Sequence, residues 1–310
     1  MRLRLLQERL SAGVIGLISV AVTLLTLVVT AALVHRSLPI LSKYPLDRLL
    51  TGTDWHPTQG QFGFGPFIVG TVWVTVLAMA LAVPVCLLTA IYLAEYARPA
   101  TRATVRPLLD VLAGIPSVVY GLFGVLLIVP LVSDVLAPFA DKHLRFLRLV
   151  APTEGYSTGY CVLSGGIVLA LMVAPVIISV ADEVLRGVPD AMREASLSVG
   201  ATRWETVKHV TLRAAAPGLM ASVVLGFSRA FGETMAVLMV VGNVVALPKS
   251  VFDPAYPLPA LIANNYGEMM SIPLYDSALL LSALLLLVMV LLFNLSAQAV
   301  LMAARRRAGQ

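Results

Sequence analysis

Arg229 and Glu233 stand four residues apart in the stretch 217–243, which carries no other charge. A guanidinium is a planar fork of N–H donors that matches tetrahedral oxyanions, and a carboxylate one helical turn away can neutralise it while no ligand is bound. The chemistry this predicts is the binding of an oxyanion such as phosphate. The carboxylate adds a basis for discrimination, because it accepts a hydrogen bond from the P–OH of hydrogen phosphate and repels fully ionised sulfate. An arginine inside a membrane helix costs about 2.5–3.5 kcal/mol on insertion scales, so its presence there marks function by default. At about 100° per residue, Gly218, Ser222, Gly226, Arg229, Glu233 and Ala236 fall within about 40° of one direction, on a helix otherwise rich in Leu, Val, Met and Phe. This small, polar stripe is a candidate substrate path lined by Ser222, Gly226, Arg229 and Glu233. The alternative is a tight helix–helix seam with the ion pair as its glue, and the two are compatible because a route can run between helices.

The elements that must position this pair are set by where charge is missing. Of 310 residues, 59% are hydrophobic and 13% charged, against about a quarter charged in soluble globular proteins. A helix needs about 20 apolar residues to cross the hydrocarbon. The intervals 11–34, 68–94, 111–133, 161–181 and 277–304 carry no Asp, Glu, Lys or Arg, and 217–243 is the sixth of comparable length. Such uniform runs lack the alternation of barrel strands, so the expected fold is all-α and polytopic, with six transmembrane helices forming a single domain over 1–310.

Lys and Arg in the short loops predict the orientation. The set containing both termini and the loops after the second and fourth spans holds 14 of them, and the other loops hold seven. Both termini are therefore expected in the cytoplasm. The same rule accounts for the net charge of +5 without a nucleic-acid partner. The first run is longer than a signal-peptide core and lacks an A-x-A site, so an uncleaved first span is expected. The outer loops, 35–67, 134–160 and 244–275, are rich in Pro, Gly and aromatic residues, as in GQFGFGP at 60–66, and are expected to form compact caps.

Several chemistries lack their residues. None of the four lysines follows a glycine, so there is no G-x-x-x-x-G-K-[ST] loop and ATP hydrolysis is not expected of this chain. LSGG at 163–166 lies inside a predicted span without accompanying nucleotide motifs, and the sequon at 294–296 lies within the last span. His35, His56, His143 and His209 lack metal-ligand spacing, and Cys86 and Cys161 form no CxxC pair. No metal and no catalytic residue is predicted.

The loop 182–216, between the fourth and fifth spans, has the form of two short helices around a turn. Pro189 suits a helix start, Gly200 the left-handed position after a helix end, and Thr202-Arg-Trp-Glu205 a capping box. A rigid pair of this kind, with Leu197, Val199, Trp204 and Val207 as apolar points, is suited to a groove on a partner protein. An interfacial helix lying on lipid headgroups is the alternative.

Glu194-Ala195-Ser196, Gly200 and, after nine residues, Val210-x-Leu212 resemble the EAA loop of type I ABC importer permeases, E-A-A-x3-G-x9-I-x-L-P. Ser196 replaces the second Ala, and Arg213 replaces the Pro that would fix the entry into the fifth span. The resemblance implies that this loop docks into an ATPase subunit through Glu194, Ala195, Gly200, Trp204 and Leu212. AIYLAEYARPA at 90–100, LAGIPSVVYGLFG at 112–124 and SRAFGETMAVLMVVGN at 228–243 are similar to the permeases of the phosphate-specific (Pst) ABC importers. GETMAV, FDP at 252–254 and LIANNYGE at 261–268 resemble the PstC type more than its PstA partner. That family implies a PstA-like partner permease, a PstB-like ATPase dimer holding ATP and Mg, a phosphate-binding protein, and a bacterial cytoplasmic membrane. Rival readings are the same architecture for sulfate, molybdate or a phosphonate, an ion-coupled secondary transporter, which would need no docking loop, and a non-transporting membrane scaffold or sensor.

Overall fold

The computed structural model describes residues 2–143, 158–268 and 271–307, with the side chains of 13–143, 158–268, 271–299 and 302. Arg145 and Arg148 of the 134–160 loop, and the side chains of Arg2, Arg4, Arg9, Arg305, Arg306 and Arg307, lie outside these. Among the described residues, six helices are long and apolar enough to cross a membrane: Gly13–Lys43, Gly65–Tyr96, Ser117–His143, Val162–Arg186, Arg203–Phe231 and Tyr275–Ala299.

The second and fourth spans form the centre of the bundle. Val74, Ala78 and Met79 from one meet Met172, Val173 and Ile177 from the other in the main core. Small residues permit the close approach, since a Cβ on Gly166 would run onto Leu77. The fifth span packs on the fourth, the second and the sixth, and the first span packs on the sixth. Val14, Ile15, Leu17 and Leu25 on the first span are all exposed, as an apolar solvent requires.

At the end away from the Glu194 loop, aromatic side chains close the bundle. Trp55–His56 pairs antiparallel with Gln61–Phe62, and Gly60 turns the chain at φ +71°. The Trp55 ring lies 5.6, 5.4 and 5.0 Å from those of Phe62, Phe64 and Phe67. Phe67 continues the cluster to Tyr256 at 5.2 Å, so the 35–67 and 244–275 loops share one apolar cap. The GQFGFGP run supplies its centre.

The first span continues as helix to Lys43 instead of ending at 34, and the third and fifth depart further from their expected form. The third, expected at 111–133, is preceded by a separate helix, Pro99–Gly114, and begins only at Ser117. Pro116 forces Ile115 into an extended conformation, φ −66°, ψ 130°, so the charge-free run is broken into two helices. Tyr120 Oη donates to the Leu112 carbonyl at 2.9 Å, which also accepts from the Ile115 amide at 3.2 Å, and so bridges the break. The fifth span, expected at 217–243, starts early and stops early. Its helix runs from Arg203 through a wide π-type turn at Val207–Thr211 and past Arg213 without interruption, then ends at Phe231. Gly232 closes it, and a single further turn, Met235–Leu238, follows. Glycine is a poor helix former, and Glu233 gains by leaving the helix, because its carboxylate there accepts from the Ala236 amide at 3.3 Å.

Candidate substrate path and coupling loop

The loop between the fourth and fifth spans folds as its local signals dictate. Asp190–Ser198 is a helix started by Pro189, Gly200 turns at φ +88°, and the Thr202–Glu205 capping box is complete. Ser196, which stands where the EAA pattern has alanine, shares a hydrogen bond of 2.9 Å with Thr206 across the turn. The pair of helices is thus tied at its waist as well as at its tip. Glu194, Ala195 and Gly200 are exposed, Leu212 is half-buried at the root of the fifth span, and Val207 is buried. The tip presents Val199 at 84% and Trp204 at 52% exposure, beside Leu197.

The expected common face of Gly218, Ser222, Gly226, Arg229, Glu233 and Ala236 divides in two. Gly218, Ser222 and Gly226 form the seam with the fourth span. A Cβ on Gly218 would run into Val184, and one on Gly226 would lie 2.5 Å from Ile177 Cδ1. Ser222 is 0% exposed and its hydroxyl returns to the Leu219 carbonyl at 2.7 Å. Within this chain Ser222 and Gly226 are therefore packing residues, which corrects their assignment to an open path. Gly226→Val is expected to destabilise the solubilised protein by about 1–3 kcal/mol through overpacking, seen as a lower thermal midpoint; an unchanged midpoint would show that the seam is loose.

Arg229 lies about one turn beyond Gly226, roughly 60° around the helix at the edge of the seam, and is exposed. Gly226 packs against Ile177 and Met79, which sit near the middle of the fourth and second spans, so Arg229 is near mid-depth. It is within electrostatic reach of Tyr120, just past the break at Pro116. Among the described residues no carboxylate pairs with it. Glu233 is turned away, half-buried in a narrow crevice lined by Thr71, Thr75, Phe231 and Val237. The expected ion pair on one helix face does not form, because the helix ends between the two residues. Arg229 is left as an unneutralised cation where two spans lose their regular helix.

A second set of charges was legible in the sequence only as span borders. Glu95, at the end of the second span, is 7% exposed and receives Arg193 Nε and Nη2 at 3.2 and 3.0 Å. Asp182, near the end of the fourth span, receives Arg106 Nη2 at 2.9 Å and Arg186 Nε at 2.9 Å. Arg102 donates to the Leu93 and Ala94 carbonyls, each at 2.7 Å. All of these cluster around the root of the Glu194 loop.

Residues 86–308 match the family model described as binding-protein-dependent transport system inner membrane component. The chain belongs to this family. A member in Xylella fastidiosa, the phosphate transport system permease protein PstC, is 36% identical over 258 residues, covering 83% of this chain and 79% of that one. A Bacillus subtilis protein described as a probable ABC transporter permease, YqgH, is 38% identical over 248 residues, covering 79% and 74%. Among solved structures, a bacterial ABC transporter involved in import of the acidic polysaccharide alginate superposes with a TM-score of 0.53 at 17% identity, covering 89% of each chain. The fold is the type I ABC importer permease fold, and the chain is a multi-pass inner-membrane transport component of this family.

Proposed function

We propose that this chain is the PstC-type permease subunit of an ATP-driven importer that carries inorganic phosphate across the bacterial cytoplasmic membrane. Arg229 carries the reading: an exposed, unpaired guanidinium at mid-depth cannot face lipid without a cost of about 2.5–3.5 kcal/mol. A PstA-like subunit covering this face would enclose a polar route between the two chains. The relatives named for phosphate transport support the choice of anion. Both termini and the Glu194 loop then lie in the cytoplasm, as the loop charges predict. A PstB-like ATPase dimer, holding ATP and Mg, takes up the loop, and a phosphate-binding protein delivers substrate at the aromatic cap. ATP binding draws the loops together and shifts the spans between inward- and outward-facing states.

In this scheme Arg229 engages the anion through its planar fork. Glu233 lies close by in sequence at the same break, and its second carboxylate oxygen accepts no hydrogen bond among the described residues. That oxygen is the acceptor for the P–OH of hydrogen phosphate, which sulfate lacks. Glu233→Gln keeps an oxygen for the Ala236 amide but adds donors that suit sulfate, so discrimination against sulfate is expected to fall about tenfold. Competition of unlabelled sulfate against labelled phosphate uptake measures this, and unchanged competition would remove Glu233 from the selectivity step.

A further inference from the structure

We propose that Glu95, Arg193 and Arg203 form a clasp that makes the Glu194 loop and the end of the second span one mechanical unit, so that the second span is driven directly by the ATPase. This rests on the reading of the chain as a permease subunit moved by an ATPase through that loop.

Both helices of the loop fasten to Glu95. From the first, Arg193 spends all five of its N–H groups. Nε and Nη2 reach the Glu95 carboxylate, Nη2 also reaches the Leu185 carbonyl at 2.8 Å, and Nη1 reaches the Val188 carbonyl at 2.6 Å and Asp190 at 2.9 Å. From the second helix, Arg203 donates to the Glu95 carbonyl and lies 5.0 Å from the centre of the Tyr96 ring. The clasp thus spans the second span, the end of the fourth and both arms of the loop. The first arm cannot move relative to Glu95 without stripping a largely buried carboxylate of its partners, and the second would give up the Arg203 hydrogen bond and ring contact. A lysine has three donors on a point charge and cannot reproduce the Arg193 pattern.

The joints lie next to the clasp. The second span ends in a π-type turn, Tyr92–Tyr96, and the fifth span is entered through another, Val207–Thr211. Such turns are loosely wound and often sit at functional bends. A displacement of the loop is then passed through Glu95 to the second span, while the entry to the fifth span bends at Val207–Thr211. The second span carries Met79, which touches the seam at Gly226, one turn from Arg229. Glu95, Arg193 and Arg203 are positioning residues in this scheme, since none of them reaches the anion route.

The test uses the complete complex of both permease subunits and the ATPase in proteoliposomes, with the substrate-binding protein supplied outside. ATPase turnover with and without loaded binding protein is measured beside substrate transported per ATP. Arg193→Lys and Arg203→Gln are expected to assemble with basal ATPase close to wild type, to lose about tenfold in stimulation by the binding protein, and to transport less substrate per ATP. Asp190→Asn, which changes only the exposed carboxylate of the clasp, should behave as wild type. Wild-type stimulation and stoichiometry in both arginine variants would overturn the proposal. Failure of both to assemble would overturn it as well, leaving the clasp a folding element; Arg203 is exposed, so its variant separates that outcome from a coupling defect. If wild type moves another anion, the ratios are read with that anion, and the failure then belongs to the phosphate assignment.

Discussion

Arg229→Ala is expected to abolish phosphate uptake while the complex still assembles and its ATPase still responds to the binding protein. Removing a charge-assisted partner from an oxyanion in a poorly solvated route costs about 2–5 kcal/mol, a loss of roughly 30-fold to more than a thousandfold in the rate of passage. Arg229→Lys keeps the charge without the planar fork and should fall between the two. Because Arg229 is exposed on this chain and forms no ion pair among the described residues, its removal leaves no buried carboxylate stranded. The loss is thus expected without a loss of folding. Initial rates of labelled phosphate entry, with the complex quantified after purification, give the comparison, and wild-type rates in the alanine variant would reduce Arg229 to a contact with the partner subunit.

The second large effect is expected at the tip of the Glu194 loop. Val199 and Trp204 expose apolar surface on a rigid turn, and a buried aromatic anchor at an interface is commonly worth 2 kcal/mol or more. Replacing Trp204 by Ala together with Val199 by Asp should weaken association with the ATPase by about 30-fold or more, and uptake should fall with it. The fold of the loop is held by the Thr202–Glu205 capping box and the Ser196–Thr206 hydrogen bond, which the double variant leaves in place. Co-purification of the ATPase with the tagged permease measures the effect. If the loop instead lies on lipid headgroups, the double variant retains the ATPase.

How much the sequence revealed follows from how local each signal was. The loop was legible almost residue by residue, because Pro189, Gly200 and the Thr202–Glu205 box each act within one turn of chain. The six spans were equally plain, since membrane crossing depends on summed hydropathy. The third span's break at Pro116 lay inside an uninterrupted charge-free run, and a proline shows that a helix is disturbed but not by how much. The end of the fifth helix at Phe231 was hidden, since the apolar run continues through Met235 and Val241 and only Gly232 marks the stop. That one misplacement turned a supposed ion pair into two separate groups, Arg229 facing outward and Glu233 in a crevice beside Thr71. The clasp was the least legible feature. Glu95 and Arg193 are 98 residues apart, and Arg106 and Asp182 are 76 apart, so no spacing rule within one helix links them. The EAA pattern itself placed Glu194 and Gly200 but was silent on Arg193, between Met192 and Glu194, whose side chain points back at the bundle.

The most direct measurement is uptake of labelled phosphate by proteoliposomes holding the full complex, with ATP enclosed, loaded binding protein outside and no ion gradient. Accumulation that requires ATP, persists in excess sulfate and stops when the ATPase is inactivated is the expected result. Phosphate entry driven by an ion gradient without ATP, or ATP-driven entry of sulfate in its place, would contradict the assignment.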